Sequence, residues 1–170
     1  MNWITLAGAI VAALGFGGYY YLMVMAKGSP QRMLGKDFTM PDVHLHYSPD
    51  MLFDTIESAG ESGRPEMRRY WLYDFGLMLC LLGVMFAVTA NIAATGSWIF
   101  YLMIILSLVR TAVDAGEDLI FLRLLRSYPE QYYGMAKFAG FMTTLKHILF
   151  FVWLVLLFFL LLLSAFNLSN

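Results

Sequence analysis

Four ionisable residues crowd one short stretch of an otherwise apolar run: Arg110, Asp114, Glu117 and Asp118. At about 100° per helical residue they fall at roughly 0°, 40°, −20° and 80°. One helix face would then carry one cation and three carboxylates. Ionisable side chains inside a membrane span are costly, and they turn toward a bundle interior or a water-filled cavity. A single arginine does not neutralise three carboxylates. At least one of Asp114, Glu117 and Asp118 is therefore expected to be protonated, or to bind a cation or a lysine.

Antiparallel registry brings further polar residues to the same level. About a tight turn near residue 96, Asp74 lies level with Asp118. About a connection near residue 130, Lys146 and His147 lie level with Asp114 and Val113. Thr143 sits one turn from Lys146, and Tyr70 and Tyr73 flank Asp74. The candidate ligand-binding residues are thus Asp74, Arg110, Asp114, Glu117, Asp118, Lys146 and His147. Neighbouring carboxylates suit cation binding, or acid and base roles where their proton affinities separate. The chain carries no Ser nucleophile elbow, no HExxH helix and no paired cysteines, its one cysteine being Cys80. His44 and His46 could point the same way from an extended segment, but without a third ligand they read as solvated loop histidines. No metal site and no cofactor is expected.

Long helices must position these residues. The 170-residue chain is 60% apolar and 14% charged, with a mean hydropathy of +0.67, whereas soluble domains run to about half and a quarter. A water-soluble enzyme, a disordered tail and a nucleic-acid binder all fit poorly. The net charge of −1 gives no bulk attraction for a polyanion. Four apolar stretches, about 3–26, 70–94, 98–122 and 142–166, are each long enough to cross a hydrocarbon core of about 30 Å. They do not alternate as barrel strands do, so the expected fold is an all-α, four-helix transmembrane bundle forming one membrane domain. The first span lacks a basic leader and is too long for a signal-peptide core. Its Gly8, Ala12 and Gly15 are spaced for close helix packing.

Lys27, Arg32, Lys36, Arg64, Arg68 and Arg69 border or occupy the first loop. Arg123, Arg126, Lys137 and Lys146 do the same for the third connection, so ten of the eleven basic residues share one side. The positive-inside rule makes that side cytoplasmic and both termini non-cytoplasmic, in a multi-pass protein of the cell (inner) membrane. Residues 27–69 form a cytoplasmic cap. Within it, Asp37 and the residues up to His46 suggest an extended piece around Pro41. Ser48, Pro49 and Asp50 read as a helix start. Leu52, Phe53, Ile56 and Ala59 share one face, and Gly60 is a stop before a restart at Ser62. The acidic outer face (Asp50, Asp54, Glu57, Glu61) favours a cap over the bundle rather than a helix on anionic lipid.

Several short motifs resemble a loosely described, mostly bacterial family of uncharacterised four-helix membrane proteins. They are Tyr47-Ser48-Pro49, Gly60-Glu61-Ser62-Gly63-Arg64, Tyr70 with Asp74, Asp114-Ala115-Gly116-Glu117-Asp118, and Thr143-Thr144-Leu145-Lys146. The resemblance spans about residues 47–150 and implies that Asp74, Asp114, Glu117 and Lys146 belong together. Asp118 stands where the family pattern has Asn, and the family supplies no reaction. Three functional classes follow. One is a pocket for a cation or a cationic, amphiphilic ligand. Another is an assembly subunit meeting a membrane-protein partner or a second copy. The third is a membrane-embedded carboxylate enzyme. The lipid bilayer is a partner in all three and nucleic acid in none.

Overall fold

The computed structural model describes residues 3–35 and 37–168. Lys36 and the chain ends Met1, Asn2, Ser169 and Asn170 lie outside them. The described chain is an all-α four-helix bundle. Its helices are α1 (Trp3–Leu34), α2 (Pro49–Ile92), α3 (Trp98–Ser127) and α4 (Tyr133–Leu168). All four are long and apolar enough to cross a membrane. Each also outruns its apolar stretch: α2 begins at Pro49 rather than near 70, and α4 at Tyr133 rather than near 142. Hydropathy marks where a helix would leave hydrocarbon. It does not mark where the backbone ladder ends.

Local chemistry sets the starts. The Ser48 hydroxyl accepts from the Met51 N–H at 3.2 Å, with Pro49 in the first turn of α2. Ser97 caps α3 in the same way, accepting from Phe100 N–H at 3.1 Å. Within α2 only Gly60 leaves helical geometry, at φ 63° and ψ −173°, a conformation open to a residue without Cβ. This break separates a short amphipathic segment, 49–59, from the long apolar remainder. Leu52, Phe53, Ile56 and Ala59 are buried in one cluster with Tyr47, Met67, Trp71, Phe121 and Leu124. Trp71 stacks on Phe121 at 4.6 Å, and Phe53 meets Tyr133 of α4 at 5.2 Å. The segment therefore caps one end of the bundle.

The piece around Pro41 is not extended. Residues Pro41–Val43 form a 3-10 turn, because proline presets the helical φ and Asp42 follows it in the first turn. His44 and His46 are exposed on either side of Leu45. Elsewhere α1 lies along α2, where small residues let the backbones approach. A Cβ on Gly15 would sit 3.0 Å from the Cys80 carbonyl oxygen. The half of the bundle away from the cap is filled by Met85, Met103 and Trp153. There the Trp153 indole N–H donates to Thr89 Oγ1 at 3.3 Å.

Candidate functional site

The polar residues collect between this apolar half and the cap. On α3, Asp114, Glu117 and Asp118 are buried at 2%, 0% and 0% exposure, so the shared helical face turns inward. The Asp114 carboxylate holds two cations. Arg110 Nη2 lies 2.8 Å from its Oδ2, and Lys146 Nζ of α4 lies 2.7 Å from its Oδ1. Lys146 Nζ is also 2.8 Å from Glu117 Oε2, a second ion pair. The other Glu117 oxygen accepts a hydrogen bond from the Thr143 hydroxyl, which also reaches the Ala139 carbonyl at 3.2 Å. His147 Nδ1 lies 2.7 Å from the Thr143 carbonyl, one turn back on its own helix.

The Asp74 carboxyl of α2 lies within hydrogen-bonding reach of Asp118. Among the described residues neither Asp118 oxygen has a hydrogen-bond donor. Two carboxylates cannot satisfy each other while both are ionised; the pair needs a proton or a cation between or beside it. Arg110 shows the opposite lack, since its buried Nε and Nη1 have no acceptor among the described residues.

One wall of the site was not legible as a candidate from the sequence. The 3-10 turn carries Asp42 inward, to 7% exposure, where its Oδ2 accepts from the Tyr70 hydroxyl at 2.9 Å. Burial pushes the Asp42 carboxyl up to about 6. The Lys146 charge opposes that rise, and the Glu117 charge adds to it. Next along the loop, Tyr47 is buried against Phe121, with ring centroids 5.5 Å apart. Burial, then the nearby Glu117, raises its phenol well above the usual tyrosine range. The loop is pinned on α4, where the Thr144 hydroxyl donates to the Leu45 carbonyl at 3.1 Å and His46 Nδ1 lies 3.2 Å from Thr144 Oγ1. The only sequence signal for Asp42 is an acid set among Met40, Pro41 and Val43 in a polar loop.

These groups border a cavity of about 220 Å³, room for several waters or a small organic cation. Asp42, Asp74, Asp114, Arg110, Lys146 and His147 line it together with Tyr19 and Met23 of α1 and Tyr70 of α2. Glu117 and Asp118 stand behind that wall. Five buried or half-buried carboxyls thus face two permanent cations, Arg110 and Lys146. Among the described residues no group of three His, Cys, Asp or Glu side chains is arranged to hold a metal ion. Comparison with family models, with curated proteins and with solved structures gave no match to the chain.

Proposed function

We propose that this chain is an integral membrane protein whose cavity opens to the cytoplasm and binds a small cation or a cationic, amphiphilic ligand. The observation that carries the reading is the excess of carboxyls. Asp42, Asp74, Asp114, Glu117 and Asp118 surround two cations beside a cavity of about 220 Å³. In a low-dielectric site that surplus must be met by protons or by a bound positive charge. Among the described residues Asp74 and Asp42 are the wall carboxyls with no ion pair, so they are the groups offered to a ligand. Asp114 is already engaged by Arg110 and Lys146. The organic-cation form is favoured over a metal ion because the carboxyls are spread around the cavity. The resemblance to uncharacterised four-helix membrane proteins fits this grouping and adds no chemistry to it.

The test is calorimetric titration of the full chain in detergent with choline, ethanolamine and guanidinium as probes, at a pH above 7. Saturable binding of one of them, weakened about tenfold or more in Asp74→Asn while the variant stays folded, is the expected result. No binding of any probe, or equal binding by Asp74→Asn, would end the reading. Orientation is tested separately. A cysteine at the exposed position 95, in the turn before α3, should be labelled by an impermeant thiol reagent from outside intact cells. Labelling only after permeabilisation would reverse the assignment.

A further inference from the structure

A second polar feature lies outside the bundle, and the acidic cavity does not use it. After the break at Gly60, α2 presents Arg64, Arg68 and Arg69 in little more than one turn, and the end of α3 presents Arg123 and Arg126. All five line one groove of about 1,030 Å³ between the two helices. Glu61 is the one acid in that lining, and Glu66 is drawn to Arg69 at 2.6 Å. Arg64 is fixed by its guanidinium lying 4.2 Å over the Tyr128 ring, a cation–π contact. Its Nε is buried without an acceptor among the described residues.

Five like charges in one groove repel one another, and the two acids offset less than half of that charge. The groove is therefore built to receive an anion. Its remaining lining is apolar. Leu72 and Leu122 follow the arginines toward the apolar lengths of α2 and α3, Leu125 stands between Arg123 and Arg126, and Leu72 is 53% exposed. A cationic rim directly continuous with an aliphatic floor, at the point where two candidate spans emerge, matches an anionic phospholipid in both halves. Guanidinium groups pair with phosphate oxygens, and acyl chain lies on leucine.

We infer that the groove between residues 61–72 of α2 and residues 122–126 of α3 binds an anionic phospholipid, with the headgroup on Arg68, Arg123 and Arg126 and acyl chain against Leu72 and Leu122. The inference rests on the membrane reading of the helices but not on the acidic cavity. It can fail while cation binding stands, and the reverse.

The test uses the full chain, purified and delipidated in a mild detergent, and counts bound molecules by native mass spectrometry. The probes are dioleoyl phosphatidylglycerol, dioleoyl phosphatidylcholine and glycerol 3-phosphate. Phosphatidylglycerol should bind about tenfold or more tightly than phosphatidylcholine, and the chainless phosphate should not bind at the same concentration. The Arg68→Gln, Arg123→Gln double variant should bind phosphatidylglycerol about thirtyfold more weakly, while Lys137→Gln, a charge removed elsewhere, should match the parent. Equal binding of the two lipids would overturn the inference. So would glycerol 3-phosphate binding as well as phosphatidylglycerol, which would make the groove a site for a soluble phosphate ester. Parental affinity in the double variant would place the lipid elsewhere. Should that variant not fold, the parent decides: its phosphatidylglycerol affinity must fall steeply as salt is raised to about 0.3 M, and a flat response refutes the inference.

Discussion

Asp114 of α3 and Lys146 of α4 meet at 2.7 Å, 32 residues apart in the chain, while the second oxygen of the same carboxylate holds Arg110 at 2.8 Å. One buried anion thus anchors two cations from two helices. Asp114→Leu should leave Arg110 without its only charged partner among the described residues, a loss on the order of 3–5 kcal/mol. Arg110→Leu combined with Asp114→Leu removes that orphan charge, so the double variant should recover part of the loss. A coupling of about 1–3 kcal/mol in a double-mutant cycle, read by denaturant unfolding in micelles, is the expected outcome. Simple additivity would show that the pair does not interact.

Glu117 does different work. It is fully buried, does not line the cavity, and holds Lys146 from behind while accepting from Thr143. Glu117→Gln keeps the shape and an acceptor for Thr143 but removes the charge facing Lys146. It should cost roughly 1–3 kcal/mol of stability and leave the affinity for a cationic probe within about threefold, since the change is behind the wall. A loss of binding as large as that of Asp74→Asn would promote Glu117 to a ligand-contacting role.

The pH dependence of the loop follows from Asp42. Its carboxyl sits at about 6 in the folded chain against 3.8 ordinarily, so between those values the folded state holds the extra proton. The contribution of this group is full below about pH 4 and is lost as pH rises through about 6, by at most roughly 3 kcal/mol. Facing Asp42 are Tyr70 and Asp74 of α2, Glu117 and Asp118 of α3, and Lys146 of α4. Asp42→Asn removes this group together with its coupling to those neighbours, and the difference between the two proteins reports both. Amide protection across residues 40–48, corrected for intrinsic exchange, should fall with pH in the parent relative to Asp42→Asn. Identical profiles would mean that Asp42 does not titrate in this window.

Much of this was legible because helices and antiparallel pairs obey simple arithmetic. The helical phase put Arg110, Asp114, Glu117 and Asp118 on one face, and registry alone placed Asp74 beside Asp118 and Lys146 beside Asp114. The capped segment was legible from Ser48, Pro49 and the spacing of Leu52, Phe53 and Ile56. Asp42 was not, because its burial depends on where a loop docks. That docking is decided by Gly140 and Thr144, about a hundred residues later, with no local periodicity to announce it. Hydropathy likewise could not show that Glu117 and Asp118 stand behind the cavity wall rather than in it. About one helical turn separates Asp114, in the wall, from Glu117 and Asp118 behind it, and side-chain direction settles the matter.

The docking of that loop on α4 makes a prediction with an unusual sign. Replacing a glycine inside a helix by alanine ordinarily stabilises it by about 1 kcal/mol, because the unfolded backbone loses freedom. At Gly140 the added Cβ would stand 2.5 Å from the Tyr47 carbonyl oxygen, a backbone atom that cannot rotate aside. Tyr47 is itself held by Phe121, and Leu45 by Thr144, so the loop must lift to make room. Gly140→Ala should therefore destabilise by roughly 1–3 kcal/mol and raise amide exchange across residues 40–48. It should also uncover Asp42 and so flatten the pH response described above. Gly134→Ala is the matched control: it lies in the first turn of the same helix, where an added Cβ meets nothing within 4 Å. That substitution should be neutral or stabilising, with loop exchange unchanged. If Gly140→Ala behaves like Gly134→Ala in both measurements, the loop is not clamped on α4, and Asp42 does not form a fixed wall of the cavity.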